Sequence, residues 1–240
     1  MKALLLFLIT LLTSTVALGQ NTVSQTISDT SQVKLWTLYP GYVVTREDDT
    51  IHGYLMLKNL IANQDKVLFY KDPEGNKSEV IKYKPKKLKA YKAGPRYYES
   101  FKFRPGKSSY ATNDANTYHF VIRTIDGPIS LYKWFYETTA ESENRVQMDT
   151  EHLEKTKLDL SFSEENLHSI MLGKLPNGEF VNFDKMLIGF KKKMSKLVSD
   201  YPQLAKKIAS KQEGYRWNDV ETIVKEYNKW YLQNHPDWKD

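Results

Sequence analysis

Histidine carries protons near neutral pH and often binds metals, so the five in this chain come first: His52, His119, His152, His168 and His235. They lie far apart. None forms the HxH, HxxxH or HExxH spacing that places two imidazoles on one face of a strand or helix. They read as scattered surface or half-buried side chains. No GxSxG or SxxK marks an activated serine. No GxxxxGK[ST] or GxGxxG cradles a phosphate, and the 11 glycines fall mostly in turns. Two carboxylate pairs remain, Asp48-Asp49 and Glu164-Glu165. General acid–base work needs a cleft and a desolvated carboxyl, whereas Asp at a hairpin tip is explained by turn geometry. The chain has no cysteine, which excludes disulfides, thiol nucleophiles, Fe–S clusters and Cys-ligated zinc. These residues name no catalytic group, metal ligand or cofactor.

Charge is the more informative pattern. Residues 77–107 hold 11 basic side chains against Glu79 and Glu99. Tyr83, Tyr91, Tyr97, Tyr98, Phe101 and Phe103 are interleaved with them. Cations and rings together meet phosphates and bases, or other anionic polymers. The candidate binding residues are Lys86, Lys87, Lys89, Tyr91, Arg96, Tyr97, Lys102 and Arg104. Alternating strands also put Lys outward and rings inward for ordinary reasons, and edge lysines guard against aggregation. Residues 137–165 hold nine acids against three bases and offer an internal partner for the basic stretch. A second run, Lys191-Lys192-Lys193, lies on an expected amphipathic helix. It suits either a membrane surface or, as the favoured reading, a solvated helix face.

Positioning these residues requires a scaffold, and the scaffold reads as hairpins followed by helices. Residues 41–58 form the first hairpin, turning at Asp48-Asp49. Residues 66–71 and 78–84 form the second, through the breaker-rich turn 72–76. Residues 117–125 and 129–136 turn at Asp126-Gly127, and residues 168–175 and 179–183 at Asn177-Gly178. Asp-Gly and Asn-Gly accept the positive φ angles of tight hairpins. One further strand is expected at residues 97–104, with Tyr97, Phe101 and Phe103 on one face and Ser100, Lys102 and Arg104 on the other. Glu99 interrupts the apolar face.

From residue 184 the period changes. Leu187, Phe190, Met194, Leu197, Val198 and Tyr201 share a helical face. Pro202 opens a short helix that Gly214 stops. Asn218 with Glu221 resembles a capping box for a last helix. That helix carries the stripe Val220, Ile223, Val224, Tyr227, Trp230 and Tyr231. Such a stripe needs covering, most simply by the β layer.

The N-terminus reads as an address. Lys2, the apolar run 3–12 and the small residues Ala17 and Gly19 match a secretory signal cut before Gln20. The run is short of the ~20 residues a membrane span needs. The polar residues 20–35 read as a flexible leader. The expected organisation is signal peptide 1–19, leader 20–35, β-rich region 36–183 and a helical region 184–240 packed on it as one domain. The 40% apolar content, with 16 Tyr, 10 Phe and 5 Trp, suffices for a packed core.

Two segments carry a resemblance. The first is Gly41-Tyr42-Val43-Val44-Thr45 with Asp49-Thr50-Ile51-His52-Gly53, followed by the stretch from Tyr83 to Tyr91. The second is Pro202-Gln203-Leu204-Ala205-Lys206-Lys207-Ile208, then Asp219-Val220-Glu221-Thr222-Ile223-Val224 and Tyr227-Asn228-Lys229-Trp230-Tyr231. Together they resemble a family of uncharacterised exported proteins of Bacteroidota-type bacteria. The chain departs from that pattern before Pro202, where Tyr201 stands in place of Cys. The resemblance implies an envelope role, since some relatives carry a comparable region ahead of an outer-membrane barrel. It implies no activity, because the matching residues are mostly turn and core positions.

The expectation is an α+β protein: antiparallel hairpins in a sheet or partly open barrel, packed by two to three C-terminal helices. It is expected in the periplasm or at the cell surface, with an envelope protein or anionic envelope polymer as partner. Nucleic acid is not expected as the primary partner, because the chain reads as exported. A non-catalytic binding module is the leading function. A hydrolase of an envelope polymer and an accessory subunit of an outer-membrane assembly are the alternatives.

Overall fold

The computed structural model describes residues 33–74, 79–105, 116–136 and 167–239. The signal peptide, most of the leader and the whole acidic stretch 137–165, with His152 and Glu164-Glu165, lie outside the described residues.

Ten antiparallel strands form one open sheet in the order β10-β9-β8-β7-β6-β5-β1-β2-β3-β4. The strands are β1 (Thr37–Thr45), β2 (Thr50–Leu57), β3 (Val67–Tyr70), β4 (Ile81–Tyr83), β5 (Leu88–Ala93), β6 (Arg96–Phe103), β7 (Thr117–Ile125), β8 (Ser130–Tyr136), β9 (His168–Lys174) and β10 (Phe180–Asn182). The sheet does not close: β4 and β10 are its edges. The four expected hairpins are present, and Asp48 takes a positive φ of 72° in the first turn. The pairing of β1 with β5 joins the two halves of the sheet, β1–β4 on one side and β5–β10 on the other.

Two elements were not expected from sequence. Strand β5 hides in the lysine-rich run, where Leu88, Ala90 and Ala93 are buried between charges. Helix α1 (Leu60–Asp65) is too short to show a period. Its start is set by Asn59, whose side chain accepts from the Ala62 N–H at 2.8 Å. The buried Gln64 side chain then docks α1 on β8. Its amide donates to the Phe135 carbonyl at 2.8 Å and accepts from the Phe135 N–H at 2.6 Å.

The C-terminal region forms α2 (Phe190–Leu197), α3 (Pro202–Ala209) and α4 (Val220–Asn234). Asp219, not Asn218, ties down the turn before α4, accepting from the Arg216 N–H at 2.9 Å. Phe190, Met194, Val198, Leu204, Ile208, Val220, Ile223, Val224 and Tyr227 pack with Ile125, Leu131 and Phe183 of the β layer. Leu187 departs from the expected apolar face. Residues Asp184–Met186 form a separate 3₁₀ turn, and α2 begins only at Phe190, after Gly189 with φ +78°. Leu187 is therefore outside the helix and exposed.

Strand alternation and register put α1 and the C-terminal helices on the same face of the sheet. Leu60 packs with Tyr91, Tyr98, Phe120 and Ile122, and Lys133, the partner of Ile122, reaches Glu221 of α4 at 2.8 Å. The opposite face buries Phe103, Val121, Tyr132, Trp134, Ile170 and Leu172, a cluster drawn from strands alone. Glu99 sits on this second face and is satisfied there. The Tyr132 hydroxyl donates to it at 2.7 Å, and Lys174 lies 3.6 Å away. Burial, and then the Glu99 charge, push the Tyr132 phenol far above its usual range.

Candidate binding surface

The basic residues are organised by Arg46, a side chain that spacing alone did not single out. It follows β1 and reaches across to the 3₁₀ turn Pro85–Lys87. Its Nη2 donates to the Pro85 carbonyl at 2.7 Å and to Ser100 Oγ at 2.8 Å. Its Nε donates to the Lys86 carbonyl at 3.2 Å. Ser100 Oγ donates to the same Pro85 carbonyl at 2.6 Å. The guanidinium also lies 4.5 Å over the Tyr118 ring. Charge-assisted bonds of this kind are roughly twice as strong as neutral ones, so the turn is held on the sheet. With its carbonyls turned inward, Lys86 and Lys87 project outward and are exposed.

Register brings the other cations to the same end of the sheet. Lys102 pairs across β6–β7 with Tyr118, the residue under Arg46, and Arg104 follows β6. Lys89 is the second residue of β5 and pairs with Asp48 at 2.5 Å. Lys84, Lys86, Lys87 and Lys102 are exposed and form no ion pair among the described residues. The β1–β2 turn sets Glu47, Asp48 and Asp49 at this end too, with Asp48 taken up by Lys89. The surface is thus mixed in sign, with the larger share basic.

Three of the candidate residues do not belong to it. Tyr91 is fully buried, stacked on Tyr98 at 4.6 Å, with its hydroxyl donating to the Asn63 carbonyl at 2.8 Å. Burial pushes its phenol well above the usual value. Arg96 is fully buried as well, and its Nη1 reaches the Lys58 carbonyl at 3.4 Å. Both side chains therefore belong to the core beneath α1 and are not available to an outside ligand. They were misplaced because strand alternation turns Tyr91 and Arg96 to the covered face, and no sequence signal showed that α1 covers it. Tyr97 lies on the other face, near the β5–β6 turn, under the Arg123 guanidinium at 4.1 Å.

The described histidines stay apart. His52 contacts the Tyr42 ring, His168 stacks on Tyr136, and His235 stacks on Tyr231 at 4.0 Å. His119 lies between Phe103 at 4.9 Å and Trp134 at 5.4 Å, and its buried Nε2 has no hydrogen-bond partner among the described residues. Among the described residues, no group of three or more His, Asp or Glu is placed to hold a metal ion. Also among the described residues, no helix is long and apolar enough to cross a membrane.

Burial holds the His119 imidazole below the usual histidine value. The unfolded chain therefore binds this proton first as pH falls. Stability from His119 is fully present above about pH 6.5 and is lost as pH drops toward the lowered folded value. Denaturant midpoints measured from about pH 7 to pH 5 should fall. In His119→Phe, which keeps the aromatic packing, that slope should be shallower. An unchanged slope would mean that His119 is not held neutral by the fold.

Compared with protein-family models, with curated proteins and with solved structures, the chain matches none.

Proposed function

We propose that this protein is a non-catalytic binding module of the cell envelope, exported through its N-terminal signal and belonging to the Bacteroidota-type exported family it resembles. Its ligand is an anionic macromolecule, either an acidic envelope polymer or an acidic face of an envelope protein. One observation carries the reading: Arg46 clamps the Pro85–Lys87 turn, so that Lys86 and Lys87 stand exposed at the same end of the sheet as Lys102, and none of the three forms an ion pair among the described residues. A fixed turn presents its charges at little further entropic cost on binding, and exposed rim charges steer an oppositely charged partner.

The test is a crosslinking pull-down from the native envelope at low and high salt, comparing the natural chain with Lys86→Glu/Lys87→Glu/Lys102→Glu. The expected result is a partner captured at low salt and lost at high salt. The variant should bind it on the order of a hundredfold more weakly, since like charges across an interface cost several kcal/mol. Its thermal midpoint should stay within about 2 °C of the natural chain, as exposed substitutions rarely change stability much. Capture that is equal for the variant and insensitive to salt would overturn the proposal.

A further inference from the structure

The most exposed apolar side chains in the described structure are adjacent. Leu187 is 56% exposed and Ile188 is 86% exposed. Single exposed apolar residues are ordinary on protein surfaces, so exposure alone means little. Here three further observations converge.

The first is rigidity. The knuckle is held at both ends by buried rings, Phe183 before it and Phe190 after it. Asp184 fixes its base to β9 by accepting from the Met171 N–H at 3.4 Å. The Leu187 N–H donates to the Asp184 carbonyl at 3.3 Å, and Gly189 turns the chain with φ +78°. The tip is built outward and is no fraying end.

The second is projection. A Cβ added at Gly189 would meet only Lys193 Cε, at 3.9 Å. Among the described residues, the space beside Gly189 on that side of the tip is open. The third is charge. Lys185 precedes the tip, and Lys191, Lys192 and Lys193 form the next helical turn, all exposed. Lys193 Nζ folds back onto the Lys185 carbonyl at 3.0 Å, which keeps it beside the tip. Lys191, Lys192 and Lys196 form no ion pair among the described residues. No acidic residue occurs between Lys185 and Ser199.

We infer that residues 185–193 are a membrane-docking knuckle for an anionic bilayer surface. Leu187 and Ile188 enter the acyl boundary, and the flanking lysines lie among the headgroups. A convex apolar tip ringed by cations fits a fluid lipid interface, which needs no preformed recess. A solvated helix face would account for the lysines, but not for two adjacent apolar side chains at the tip. This surface is distinct from the Arg46-anchored rim, and the inference does not rest on the function proposed for that rim.

The chain has no cysteine, so a single Ile188→Cys in the full chain takes one environment-sensitive dye at the tip. The same dye at Lys229→Cys, an exposed position on α4, serves as the control site. Because the apolar run 3–12 can itself associate with lipid, the readout is local dye emission, not co-sedimentation. The probes are vesicles of equal parts phosphatidylglycerol and phosphatidylethanolamine, and vesicles of phosphatidylcholine. A blue shift at position 188 on the anionic vesicles is expected, with none on phosphatidylcholine and none at position 229. Adding Lys191→Glu/Lys192→Glu/Lys193→Glu should raise the lipid concentration for half-maximal shift about a hundredfold or more, each lysine acting near the surface. No shift, an equal shift on phosphatidylcholine, or a shift that grows with protein concentration without lipid would overturn the inference. The last result would identify a contact between copies of the chain.

Discussion

Replacing Gly41 by Ala should destabilise the protein by about 3–5 kcal/mol, at the upper end of single-substitution effects. Gly41 sits in β1, opposite Gly53 of β2 on one side and Ala93 of β5 on the other. A Cβ built there would lie 1.9 Å from the Lys92 carbonyl oxygen and 3.0 Å from Leu55 Cδ1. The first contact is with backbone and cannot be relieved by a rotamer change. Relief requires β1 and β5 to separate, and that pairing is the joint between the two halves of the sheet. Glycine inside a strand marks this kind of close backbone approach. Gly178→Ala is the natural comparison. Gly178 has φ +80° in the β9–β10 turn, but nothing lies within 4 Å of its missing Cβ. It should cost only the left-handed strain, about 1 kcal/mol. In thermal melts of the two variants, Gly41→Ala should fall about 10 °C below the natural chain and Gly178→Ala a few degrees. Equal midpoints would mean that the β1–β5 joint tolerates separation.

Asn228→Ala should cost about 2–4 kcal/mol, the range for leaving two buried polar groups without partners. Asn228 lies on α4, buried, and its amide behaves as a short stretch of strand. Oδ1 accepts from the Ile129 N–H at 2.8 Å, and Nδ2 donates to the Ile129 carbonyl at 2.9 Å. Gly127 makes room for it: a Cβ there would lie 2.6 Å from Nδ2, and its φ of +146° already strains any other residue. Gly127→Ala should therefore break the same two bonds from the other side. The double variant Gly127→Ala/Asn228→Ala should be clearly less destabilised than the sum of the single variants, because the two positions act on one contact. Denaturant melts of the four proteins close the cycle. Additive effects would show that Gly127 serves only its turn and Asn228 only its helix. Gln64 does on α1 what Asn228 does on α4, so both helical layers are docked by an amide paired with main chain at β8 or just before it.

These docking contacts show where the sequence stopped being informative. Asp126-Gly127 correctly marked a hairpin, and turn geometry alone was enough to account for the glycine. Its second task, clearance for a side chain 101 positions later, has no local trace. Asn228 stands in the sequence next to the apolar stripe of the last helix, with nothing local to mark its partner. The eight candidate binding residues divided for a related reason. Lys86, Lys87, Lys89, Lys102 and Arg104 reached one end of the sheet, as basic side chains on turns and strand ends tend to. Tyr91 and Arg96 went inside and Tyr97 lies on the other face under Arg123, because a strand shows which residues alternate but not which face a later helix will cover.

By itself, the sequence determined the α+β class, the four hairpins, and the apolar stripes of the C-terminal helices. Each of these is local. A turn depends on a few φ angles, and an amphipathic stripe depends on spacing within one element. Tertiary structure alone decided the strand order that places β1 beside β5, the burial of Tyr91 and Arg96 under α1, and the role of Arg46 in presenting Lys86 and Lys87. It also decided that Leu187, on paper part of a buried stripe, stands exposed beside Ile188. The physical reason is common to all four. Burial and hydrogen-bond satisfaction are properties of pairs brought together from distant parts of the chain, and a one-dimensional pattern records only one member of each pair.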